Sequence, residues 1–191
     1  MNHIIYPSSK QGSIYIVLVM VSLTFVACRS RYQKSNPDSV VKDFYDNYIA
    51  TDYHNTNSHL PAFNIDSTGV GFLDTTRYFA YLRAKEVFSA SYFRTAATTI
   101  ADCNLYLARV DSTILSDYAA PWEDIPQCGF MNFTLGVGCS GDVVEGIKIV
   151  SITAPDPRSA TVRVEAIGCS SFDVSMCEVE GKWLIDSINP R

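Results

Sequence analysis

A carboxylate set beside an aromatic or phenolic ring is the raw material of a general base in an apolar pocket. This chain offers that pairing at Asp117 with Tyr118 and at Asp124 with Trp122, and Asp102 adds a further carboxylate on a helical stretch. Chemistry of that kind needs the base aimed into a cavity with an acidic donor opposite it. Asp117 and Tyr118 fall instead in Asp111 to Pro126, a stretch rich in turn and breaker residues, where an acid more often accepts a local turn hydrogen bond. The turn reading is therefore preferred for Asp117 and Tyr118; Asp117, Tyr118, Trp122 and Asp124 stand as candidates for a pocket lining, and no residue is assigned as catalytic. Glu165 and Asp173 alternate with apolar residues, which places them on a solvated strand face.

Histidine and cysteine carry the remaining options. His54 and His59 lie in an Asn-rich polar stretch without neighbouring cysteines or an acidic triplet, whereas zinc requires three or four ligands at defined spacing. That stretch is read as a solvated loop, and neither a metal nor a cofactor is expected. Of the six cysteines, none forms a Cys-x-x-Cys pair or a zinc knuckle. Cys128 and Cys139 close a short loop and are the expected disulfide, a bridge worth roughly 3 kcal/mol by loop entropy. Cys103, on an apolar helix, is expected buried and inert. Cys169 and Cys177 flank a hairpin turn at unequal distances, so a bond directly across it is not expected.

Lys10 is the one charged side chain before Cys28, so the chain's formal net charge of -5 becomes -6 for the remainder. With no clustered basic surface, nucleic acid is excluded as a partner. The uncharged run from Ile14 to Cys28 is too short for a spanning helix and fits the apolar core of an export signal. Its end, Phe25-Val26-Ala27-Cys28, resembles the lipobox of bacterial lipoproteins, in which the cysteine is diacylated and becomes the new N-terminus. The resemblance implies a signal peptide over 1–27, a lipidated Cys28 with a tether to residue 36, and a folded domain over 37–191. Two or more acyl chains hold a protein on a membrane where one does not. Arg29, Arg31 and Lys34 could add attraction to anionic head groups, or simply belong to a solvated linker. No acidic run follows Cys28, so the domain is expected to face the periplasm.

The elements that must position these groups follow from periodicity. Val40, Val41, Phe44, Tyr45, Tyr48 and Ile49 form one stripe of a helix that starts at Pro37 and runs to about Thr51. Asp52 to Gly71 is read as a loop. A second helix is expected after an Asp74 cap, with Tyr78, Phe79, Leu82 and Phe88 inward, and a third after a Ser89 cap, with Tyr92, Phe93, Ala96, Ile100 and Leu105 inward. Strands then follow: Ile147 to Ile152, a turn at Pro155-Asp156-Pro157, Ala160 to Ile167, the Phe172, Val174 and Met176 alternation, and a tight turn at Glu180-Gly181-Lys182 into Trp183 to Ile188. The fold class is α+β, helices covering one face of an antiparallel C-terminal sheet.

The opening Pro37-Asp38-Ser39-Val40-Val41-Lys42-Asp43-Phe44-Tyr45-Asp46-Asn47-Tyr48, two further helices and the closing Val179-Glu180-Gly181-Lys182-Trp183-Leu184-Ile185-Asp186-Ser187-Ile188 together resemble the NTF2-like (cystatin-like) superfamily, in particular bacterial lipoproteins of the DUF3828 type. The resemblance implies a curved sheet wrapped round helices as a cone, a pocket between them, and a homodimer across the open sheet face. It does not choose a function, because the superfamily hosts both enzymes and binders. Three functions are compatible: a non-catalytic module for a small ligand or protein, an isomerase- or dehydratase-like enzyme, and an immunity or inhibitor protein whose net charge would steer it to a basic toxin.

Overall fold

Alternation of apolar and polar residues decides which face of a strand is buried, and three- and four-residue spacing does the same for a helix. The computed structural model describes residues 36–53, 59–110, 128, 133–137 and 144–191. In chain order these form helix α1 (Pro37–Asn47), a π-helical turn (Tyr48–Tyr53), strands β1 (Ala62–Ile65) and β2 (Gly71–Asp74), helices α2 (Thr76–Lys85) and α3 (Ala90–Leu107), and strands β3 (Ile147–Asp156), β4 (Ser159–Ala166), β5 (Ser171–Val179) and β6 (Lys182–Pro190). The fold is α+β. None of the described helices is long and apolar enough to cross a membrane.

The last four strands form one antiparallel sheet in the order β3-β4-β5-β6. Val162 and Val164 of β4, Phe172 and Val174 of β5 and Ile185 of β6 are fully buried, while Thr161, Arg163 and Asp173 between them are not. The expected turn closes the last hairpin: Glu180 and Gly181 take φ of 52° and 82°, the pair of left-handed residues that matches the twist of a two-residue loop. β3 runs four residues beyond its expected end at Ile152, and the turn moves to Pro157 and Arg158. Asp173 and Glu165 lie on the outer face as expected, but Asp173 is held there by Arg163 at 3.1 Å and Arg191 at 2.6 Å, which keep its carboxyl below the usual range.

The helices cover the other face. Val41, Phe44 and Tyr45 of α1 and Tyr48 just after it are buried, and α1 packs against β3, β4 and β6. The α-helix stops at Asn47, short of the expected Thr51, and the chain continues as the wider π turn. Ser89 caps α3 as expected, its Oγ accepting from the Tyr92 N–H at 3.0 Å. The α2 cap is Thr75 rather than Asp74, although the Asp74 carboxylate accepts from the Thr76 N–H. Phe88 lies outside α2. It pairs with Ile185 as a short parallel bridge on the outer edge of β6. Leu105, expected inward, is 59% exposed. The stretch expected to be all loop contains β1 and reaches the first residue of β2; the two strands form a hairpin, whose Leu73 N–H donates to Asn104 Oδ1 at the end of α3.

Residues 133–137 are irregular backbone deep in the core, with Phe133, Leu135 and Val137 at most 1% exposed. Buried carbonyls need partners. Tyr45 Oη donates to Leu135 O at 2.8 Å, Tyr48 Oη to Thr134 O at 3.3 Å, and Ser170 Oγ to Gly136 O at 2.9 Å. Tyrosine, not phenylalanine, therefore stands at positions where the helix stripe meets this segment.

The disulfide expectation is corrected. Cys128 bonds to Cys103 of α3, their Cα atoms 4.6 Å apart, and so not to Cys139, which lies outside the described residues. Cys103 is buried as expected but is a bridge half-cystine rather than a bare thiol. Cys169 is also disulfide-bonded, and Cys177 is free.

Candidate functional site

A cavity of about 210 Å³ opens between the helices and the last strand. One wall is α3, whose Tyr92, Thr95, Ala96 and Thr99 follow one another at helical spacing. Tyr78 of α2 and Phe133 add aromatic surface, and Asp186, Ser187, Ile188 and Asn189 of β6 form the opposite wall. The volume is smaller than that of pockets for drug-sized ligands, so it suits a compact molecule.

Asp186 owes its place to a bulge. Ser175 of β5 faces Ser187 while Met176 faces Ile185, which leaves Asp186 as the extra residue of β6. Bulges re-aim side chains, and this one brings the carboxylate to the start of α3. Ser89 Oγ, which caps that helix, donates to Asp186 Oδ1 at 2.7 Å, and Cys177 Sγ donates to the same oxygen at 3.7 Å. The segment before α3 is fastened to the same strand: the Ser89 N–H donates to Ile185 O at 2.9 Å, and the Ile185 N–H to Val87 O at 2.7 Å. Burial, then the adjacent Asp186 charge, pushes the Cys177 thiol up, which leaves it protonated and a poor nucleophile. The Tyr78 and Tyr92 hydroxyls stand 3.5 Å apart at the cavity. Burial pushes Tyr92 up to about 12, opposed by its hydrogen bond with Tyr78, and burial also raises Tyr78 well above its ordinary value. Both are neutral donors at neutral pH.

A second polar cluster, partly buried, lies beside the π turn. His59 is fully buried, its Nε2 3.3 Å from Tyr48 Oη and its ring 4.7 Å from that of Tyr81. The solvated-loop expectation is thus overturned for His59, because neighbouring aromatics supply a site for the ring. His54 lies outside the described residues. Tyr81 Oη and Lys85 Nζ both donate to Asp52 Oδ2, at 2.9 and 2.7 Å, and the Lys85 ammonium sits 4.8 Å from the Tyr81 ring. The described residues contain no group of three or more metal-ligating side chains.

Of the residues singled out by sequence, Asp102 is exposed on α3 and does not line the cavity. Asp117, Tyr118, Trp122, Asp124 and Cys28 lie outside the described residues. Asp186 was legible only as part of a hairpin. One signal could have found it: the apolar positions Trp183, Ile185 and Ile188 slip one residue out of period two, the mark of a bulge. Comparison with known proteins finds no match: no family model, no curated protein and no solved structure matches this chain.

Proposed function

We propose that this chain is a lipid-anchored module of the bacterial cell envelope, facing the periplasm, that binds a small ligand without transforming it. The cavity between α3 and β6 is the observation that carries this reading. Anchorage rests on Phe25-Val26-Ala27-Cys28 and the uncharged run before it. Helices packed on one face of a C-terminal antiparallel meander support the finer fold proposal, an NTF2-like cone with its pocket under the helices. The second reading, an isomerase- or dehydratase-like enzyme, is favoured by one feature: Asp186 and the Tyr78–Tyr92 hydroxyl pair share the cavity. Binding is preferred because Asp186 Oδ1 is already committed to the α3 cap.

The test uses the full chain expressed in a bacterial envelope. Wild type should fractionate with membranes and incorporate labelled palmitate, and Cys28→Ser should do neither. Native mass spectrometry of detergent-purified protein should find a bound small molecule that Ala96→Leu, which fills the cavity, excludes. A soluble, unlabelled wild type would overturn the anchor, and a cavity equally occupied in Ala96→Leu would overturn the site.

A further inference from the structure

We infer that the cavity selects a compact organic ammonium, a primary amine on an apolar or aromatic body, with Asp186 as its counter-charge. The inference rests on the binding reading above and adds the ligand's chemical class. Both hydrogen bonds that Asp186 accepts from described residues land on Oδ1. Its Oδ2 accepts none of the described hydrogen bonds. The ion pairs among the described residues join Lys42 to Asp46, Lys85 to Asp52, and Arg163 and Arg191 to Asp173, so no described cation answers Asp186. Ser89 and Cys177 satisfy one oxygen, and the nearby α3 N-terminus offsets part of the charge. One oxygen of this cavity-lining carboxylate is left for a donor.

The rest of the wall fits the same ligand. Tyr78, Tyr92 and Phe133 present ring surface, which attracts a cation through the ring quadrupole and packs against an apolar body. The Thr95 and Ser187 hydroxyls and the Asn189 side chain can complete the ammonium's hydrogen bonds. An anionic ligand would meet Asp186 with no basic group in the wall to offset it, and the net charge of -5 adds to that repulsion.

The test is a ¹⁵N NMR titration of the full chain in detergent with benzylamine, benzyl alcohol and benzoate at neutral pH. These probes share a ring and differ in charge. Benzylamine should bind about tenfold or more tightly than benzyl alcohol, as a charge-assisted hydrogen bond requires, and benzoate most weakly. Shifts should centre on Thr95, Ala96, Thr99 and Asp186 to Asn189. Asp186→Asn, which keeps an acceptor for Ser89, should cost benzylamine about tenfold and leave benzyl alcohol nearly unchanged. Equal binding of amine and alcohol to wild type, or shifts centred elsewhere, overturns the inference whether or not the variant folds. If both neutral and cationic probes bind equally and Ala96→Leu excludes both, the binding cavity stands and amine selection falls. If no probe binds and no compound co-purifies, both fall.

Discussion

Gly136 shows how one missing side chain sets local structure. Its φ is +81°, and a Cβ there would lie 2.8 Å from both Ile188 Cγ2 and Phe172 Cγ, inside the core. Gly168 has nearly the same φ, +84°, but nothing within 4 Å of that Cβ position. Gly168→Ala should therefore cost only the left-handed backbone penalty, about 1 kcal/mol, whereas Gly136→Ala adds overpacking and should cost about 2–4 kcal/mol. Urea unfolding of both variants checks this, and equal losses would show that the core yields at Phe172 and Ile188. The two glycines look alike in sequence. Period-two alternation identified Phe172, and the tight turn before Trp183 placed Ile188, as apolar strand residues, but neither showed that residue 136 would reach them across the core. Asp186 illustrates the opposite case, since a one-residue slip in the apolar pattern of β6 marks it, although its partners Ser89 and Cys177 are invisible to local pattern.

At the scale of elements, the π turn is tied to α2 by Asp52. Burial by itself would raise the Asp52 carboxyl, but hydrogen bonds from Lys85 and Tyr81 outweigh it and hold the group below its ordinary value. A carboxyl depressed in the fold contributes stability above the unfolded-state value, about 3.9, and loses that contribution as pH falls through the folded value. Lys85→Met keeps an apolar stem near Tyr81 and removes the charge. It should cost about 1 kcal/mol at pH 7, with both side chains partly exposed, and the gap to wild type should narrow as pH is lowered below about 4. Urea midpoints at the two pH values measure it, and a gap that does not change with pH would show that Lys85 acts through packing alone. Helices and strands from periodicity were largely right because α1, α3 and the meander bury one face each. The β1–β2 hairpin escaped because its strands have four residues each, too few to show a period.

For the whole molecule, the Cys103–Cys128 bridge spans 25 residues and ties α3 to the chain beyond it. Closing a loop of that size is worth about 3–4 kcal/mol in the loop-entropy model, so Cys103→Ala should lower stability by about that amount. Peptide mapping without reduction should recover Cys103 linked to Cys128, and Cys177 should react with an alkylating reagent chiefly after unfolding, since its thiol is protonated and partly buried. A Cys128–Cys139 peptide would overturn the pairing.

By itself, the sequence determined the α+β class, the four C-terminal strands with their tight Glu180–Gly181 turn, the Ser89 cap and the apolar stripes of α1 and α3. All of these depend on neighbours a few residues apart, where backbone geometry fixes who shares a face. Only the tertiary structure decided that Cys103 meets Cys128, that His59 is buried between Tyr48 and Tyr81, and that Asp186 joins Tyr78 and Tyr92 around one cavity. Those contacts join residues from 11 to 108 positions apart. Long-range contacts are chosen by how the burial of every element can be satisfied at once, and no local pattern carries that information.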